Sequence, residues 1–128
     1  MIVDLLNGAN LAFIGDAYIN LYIREYLLNK NITNSKNLHN LCVKYLSAKG
    51  HDKIVKNIRD ELTEEEQNIF KRGRNFKYQS HRKNIDQTEY LNSSGFEAII
   101  GYLYLKEEKD RLEYLLKRAI LIIEEKNE

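Results

Sequence analysis

Apolar residues recur at helical spacing in six blocks separated by short polar breaks. The first and longest covers residues 11–28, LAFIGDAYINLYIREYLL. At about 100° per residue its aliphatic and aromatic side chains cover almost the whole helical circumference, which predicts a buried helix. The exceptions, Asp16, Asn20 and Arg24, fall four residues apart and form one narrow polar strip.

A short lead-in ending at Gly8 precedes this block, and the run NKNITNS (residues 29–35) has turn chemistry. Thr33, Asn34 or Ser35 can cap a second helix, which carries Leu38, Leu41, Cys42, Tyr45 and Leu46 and is expected to end near residues 48–50. A third helix around residues 51–61 presents Ile54, Val55 and Ile58, with Leu62 close behind. TEEE, residues 63–66, spells a capping box for a fourth, whose Ile69 and Phe70 face inward and which Gly73 is expected to break. SSGFE, residues 93–97, begins a fifth, carrying Phe96, Ala98, Ile99, Ile100, Leu103, Tyr104 and Leu105. The sixth, about residues 110–125, buries Leu112, Leu115, Leu116, Ala119, Ile120 and Ile123.

Composition agrees with an all-α fold. Proline is absent, glycine occurs six times, and nothing divides the 128 residues, so the expectation is a single domain over 1–128. The one cysteine, Cys42, excludes an internal disulfide and a cysteine-based zinc site, and it fits a reducing compartment. The N-terminus lacks the basic region and apolar run of a signal peptide, and Asp, Asn, Arg and Glu interrupt block 11–28, so no membrane span is expected. A cytoplasmic protein follows as the expectation.

Net charge is +1, so any affinity for a polyanion has to come from local clustering. Such a cluster exists. Residues 71–85, KRGRNFKYQSHRKNI, hold six of the 20 Lys and Arg residues and none of the 19 acids, with Phe76 and Tyr78 interleaved. Cations at a helix C-terminus or a solvated loop would account for some of this. Contact with nucleic-acid phosphates accounts for the concentration.

Two carboxylates stand out. Asp16 follows Gly15 on the first apolar helix, and Glu97, 81 residues later, lies one turn before Gly101 on another. In each case an acid adjoins a bare patch of helix, so the two segments are expected to pack together. Asp16 could instead be held by an Arg or by backbone amides, and Glu97 could cap its helix with Ser94 in an S-x-x-E box. If the acids converge, they suit Mg²⁺, which takes one or two protein carboxylates and keeps waters for substrate and nucleophile.

LAFIGDA, residues 11–17, resembles the signature of ribonuclease III catalytic domains. SAK (residues 47–49), KRGRN (71–75) and GFEAIIGYLYL (95–105) look like the short branch of that family, Mini-ribonuclease III, in the same order along nearly the whole chain. The resemblance implies a homodimeric helical bundle that cuts both strands of double-stranded RNA with Mg²⁺, Mn²⁺ serving as a replacement, and leaves 5′-phosphate and 3′-hydroxyl ends. It implies a large-subunit (23S) ribosomal RNA precursor as the target and, as in that branch, no double-stranded RNA-binding domain. Carried over by position, Asp16 and Glu97 are the metal-binding catalytic carboxylates and Lys71, Arg72, Arg74 and Lys77 the RNA-contacting cations.

Full-length members carry further acids where this sequence has Ala12 and Ser94, positions that are small or hydroxyl-bearing in the short branch. Asn20 stands where the short branch commonly has Glu, which leaves the site one charge less acidic. Asn20 and Ser94 are read as supporting residues beside the two acids. The competing expectation is a catalytically inactive ribonuclease III-like module that binds RNA or the ribosome. A purely structural helical protein would leave the acid-free basic segment unexplained.

Overall fold

The computed structural model describes residues 1–76 and 87–125. These form six α-helices, α1 (Gly8–Asn29), α2 (Ser35–Leu46), α3 (Ala48–Ile58), α4 (Glu64–Phe76), α5 (Gln87–Leu105) and α6 (Lys109–Glu124), with single 3-10 turns at Val3–Leu5 and Arg59–Glu61. No strand occurs among the described residues.

Polar side chains set most helix starts. The Asn7 side chain accepts from Asn10 N (2.8 Å) while Asn10 Oδ1 accepts from Asn7 N (3.1 Å), which opens α1. Asn34 caps α2, and the Thr63–Glu66 box expected from TEEE caps α4. Ser47 closes α2 and opens α3, its hydroxyl accepting from Gly50 N at 3.0 Å. Its extended backbone, with ψ at 161°, ends α2 at Leu46, before residues 48–50.

Helix α5 is the axis of the molecule, with α1, α3, α4 and α6 packed around it. Residues 91–103 are buried apart from the half-buried Glu97, and Phe96, Ala98, Ile99 and Ile100 are wholly enclosed. Helix α5 begins at Gln87 and not at the expected residue 93, so SSGFE lies inside it. The S-x-x-E pattern at Ser94 and Glu97 is therefore no cap. Ser94 is buried in mid-helix, and the neighbouring Asn92 and Ser93 find polar partners on α3.

Helix α1 also departs from expectation. Leu11, Ala12, Ile19, Ile23 and Leu27 are buried, but Phe13 is 81% and Leu21 55% exposed, with exposed Ala17 between them. The polar strip faces outward too, with Asp16 and Arg24 exposed. Apolar residues all round thus reflect two apolar faces, one covered by α5 and one open. Near the end of α6, Ile122 is buried in place of the expected Ile123, which is half-buried against the core.

Ionic contacts close the periphery. Glu66, almost fully buried, receives two hydrogen bonds from Arg111 at 2.8 Å each. Burial pushes its carboxyl up, but the Arg111 and Thr63 donors outweigh that and hold it below the usual range. The Tyr26 and Tyr45 hydroxyls both donate to Glu124, tying α1 and α2 to α6.

Candidate active site

The site begins where α1 crosses α5. A Cβ on Gly15 would overlap the Glu97 carbonyl oxygen, and one on Gly101 would overlap that of Leu11. Only glycine at both positions lets the two backbones meet at van der Waals distance. Asp16 follows Gly15 directly and Glu97 contributes the carbonyl that Gly15 faces, so both acids flank one crossing, as their neighbouring glycines foretold. Asp16 is exposed and Glu97 half-buried, so the crossing lies open to solvent on the side of Asp16.

Asn20, one turn after Asp16, donates through Nδ2 to the Asp16 carbonyl at 2.8 Å and to its Oδ1 at 3.2 Å. A carboxylate at position 20 could not donate these bonds. Asn20 therefore orients Asp16, and the carboxylate remains exposed. Ser94, one turn before Glu97, is buried within α5.

Helix α4 brings the cations. Gly73 does not end it; the helix continues to Phe76, and Gly73 is instead a contact point, where a Cβ would stand 2.6 Å from Ala98 Cβ and 2.8 Å from Ser94 O. Lys71, Arg72 and Arg74 thus lie beside a residue seated on the stretch of α5 that carries Glu97. Lys71 is exposed. Arg72 donates to the Leu6 carbonyl, and Arg74 is half-buried with its guanidinium 5.9 Å from the Phe70 ring centre. The expected basic loop is, as far as residue 76, the last turns of a helix. Lys77, with Tyr78, His81, Arg82 and Lys83, lies outside the described residues.

Between α3 and α5 runs a buried polar layer that the pattern of residues did not announce. His51 is fully buried; its Nδ1 pairs with Ser93 Oγ at 2.9 Å, and its ring packs on Phe96 at 5.1 Å. Its Nε2 has no hydrogen-bond partner among the described residues. Burial lowers its pKa to about 4, partly opposed by the charge of Asp16. Beside it Asn92 Nδ2 donates to Asp52 Oδ1 at 2.7 Å, and Lys56 pairs with Asp52 Oδ2 at 2.9 Å. Three consecutive polar residues, Asn92 to Ser94, inside an apolar helix were the available signal; placing the helix start at residue 93 hid it.

Among the described residues no group of three or more His, Cys, Asp or Glu side chains could cage a metal. Two carboxylates at an open crossing, one exposed and oriented by an amide, fit Mg²⁺ better than a cation enclosed by protein, because Mg²⁺ keeps waters and substrate phosphate oxygens in its shell.

Residues 9–108 match the model of the Ribonuclease III domain. The chain is 43% identical over 124 residues to a Mini-ribonuclease 3 of Streptococcus pneumoniae, covering 95% of this chain and 97% of that one. It is 42% identical to a Mini-ribonuclease 3 of Enterococcus faecalis, covering 96% and 95%. A crystal structure of a protein from Fusobacterium nucleatum, 31% identical, superposes with a TM-score of 0.82 over 91% of this chain and 93% of that one.

Proposed function

The chain belongs to the ribonuclease III family, in its Mini-ribonuclease 3 branch, and from that premise we propose that it is a Mg²⁺-dependent endoribonuclease cutting both strands of double-stranded RNA. Its physiological target is a large-subunit ribosomal RNA precursor, and it acts in the cytoplasm as a homodimer. One observation supports the catalytic reading: glycine at positions 15 and 101 lets α1 and α5 meet so closely that Asp16 and Glu97 flank a single helix crossing.

Asp16 and Glu97 would hold the metal, with Mn²⁺ able to replace Mg²⁺. When bound, it supplies a Lewis acid beside the scissile phosphate and eases deprotonation of the attacking water. Asn20 keeps the Asp16 carboxylate oriented. Lys71, Arg72 and Arg74, joined by Lys77, hold the phosphate backbone, which is how A-form RNA is read without sequence-specific base contacts. Water adds to phosphorus, the bond from phosphorus to the 3′ oxygen breaks, and the products carry a 5′-phosphate and a 3′-hydroxyl.

Homodimerisation is supported by the open face of α1. Phe13 and Leu21, with Ala17 between them, form an exposed apolar stripe, and beside it the rings of Tyr18 and Tyr104 lie 4.7 Å apart on the wall of a groove of about 590 Å³. A second copy of the stripe is the occupant that buries this surface and places two sites on one duplex.

The test is cleavage of a long RNA duplex with Mg²⁺, with EDTA, and by Asp16→Asn and Glu97→Gln. Metal-dependent cutting is expected, reduced roughly 10²–10³-fold or more by either substitution, with duplex binding retained. Binding without cutting in both Mg²⁺ and Mn²⁺ would instead establish the catalytically inactive RNA-binding module.

A further inference from the structure

A second cationic surface lies away from α4. Between the end of α2, the outer face of α3 and the start of α5 runs a groove of about 640 Å³, lined by Lys44, Lys49, Lys53 and Lys56, with Asp52 and Glu89 as its acids. We propose that this groove is a second contact for the phosphate backbone of the RNA duplex, engaging it beside the strand break; the inference rests on the endoribonuclease reading above.

Lys49, Lys53 and Lys56 are spaced four and three residues apart, which puts them in one stripe along α3. The stripe is about 10 Å long at 1.5 Å per residue. Lys44 joins it from the last turn of α2, where Gly50 packs against its carbonyl. Of the two acids, Asp52 is buried and already bonded to Asn92 and Lys56, and Glu89 stands on the rim. No carboxylate among the described residues forms an ion pair with Lys44, Lys49 or Lys53. In a chain with almost as many acids as bases, three unneutralised lysines around one concavity form a local positive field.

Helix stability accounts for Lys44, in the last turn of α2, but not for Lys49. The first turn of α3 holds Lys49 and no acid, and a cation there opposes the helix dipole. An external anion at the groove reverses that penalty. Glu89 on its rim lies eight residues before Glu97 on α5, about 12 Å along the helix. An RNA duplex held at Glu97 extends well past that distance, and a polyanion of regular spacing suits a stripe of lysines.

The test measures duplex RNA binding, with metal chelated, across a salt series for the wild type and a Lys44→Gln/Lys49→Gln/Lys53→Gln variant. Lys117→Gln, on α6 and outside the groove, serves as the control. The triple variant is expected to bind roughly tenfold more weakly at 0.1 M salt, with the slope of log affinity against log salt shallower by about 1 for each phosphate no longer neutralised. Replacement of the same residues by Arg should restore both. Wild-type affinity and slope in the triple variant would overturn the groove contact while leaving the endoribonuclease reading intact. A wild type that neither binds nor cuts duplex RNA would sink both. Should the triple variant lose helical structure, single Lys49→Gln and Lys53→Gln variants read the same slope.

Discussion

Gly15 of α1 and Glu97 of α5 meet backbone to backbone, with no room for a methyl group on Gly15. The obstacle to a side chain is a main-chain carbonyl inside a packed helix, which cannot rotate away. Gly15→Ala should therefore cost about 1–3 kcal/mol from overpacking, although alanine favours helix by about 1 kcal/mol in isolation. Thermal melts should show a fall of several degrees, and cleavage well below the transition should fall further than unfolding explains, because α1 carries Asp16. An unchanged melting temperature would show that the crossing is looser than described.

Asn20 separates orientation from charge at the site. Asn20→Ala removes the donor to Asp16 Oδ1 and should lower cleavage at every Mg²⁺ concentration. Asn20→Glu adds a negative charge one turn from Asp16. The half-saturating Mg²⁺ concentration should then fall roughly three- to tenfold, the scale of ~1 kcal/mol for one added charge near a partly exposed cation. Metal titrations of initial cleavage rate read both effects, and a half-saturating concentration that does not fall in Asn20→Glu would place position 20 outside the ion's reach.

His51 predicts acid lability. Its pKa is lowered to about 4 by burial, against about 6.5 in an unfolded chain, so the unfolded state binds more protons between these values. Stability from neutral His51 is fully present above pH 6.5 and is lost as pH falls toward 4. The loss from pH 7 to pH 5 should be about 2 kcal/mol. Urea unfolding at the two pH values measures it, and His51→Gln, which carries no titrating group, should remove most of the difference. A pH response identical in the variant would assign the lability elsewhere.

Phe13 tests the assembly. Phe13→Glu places a charge in the middle of the exposed stripe without touching the core, since the side chain is 81% exposed. Sedimentation should show a shift from dimer to monomer with helical content preserved, and cleavage of both strands should drop to nicking or stop. A wild-type protein that sediments as a monomer at micromolar concentration would remove the dimer from the proposed function.

The sequence by itself determined six helices, the purely local Thr63–Glu66 capping box, and the packing of the segment of Gly15 and Asp16 against that of Glu97 and Gly101. Close backbone approach requires glycine, and glycine is visible in a sequence. Three features were decided only by the tertiary structure. Helix α1 is apolar on most sides whether one face or two are covered, so only its neighbours reveal that Phe13 and Leu21 face outward. The S-x-x-E pattern of residues 94–97 is the same string in a cap or in mid-helix, and α3 makes it mid-helix by supplying His51 and Asp52 to the polar residues before it. Gly73 weakens a helix in isolation, yet α5 lies so close that the same missing side chain serves as a contact point and seats the last turns of α4 on the helix of Glu97. In each case local preferences are worth about 1 kcal/mol or less, while burial of a whole face is worth several times that, so packing decided what the pattern left open.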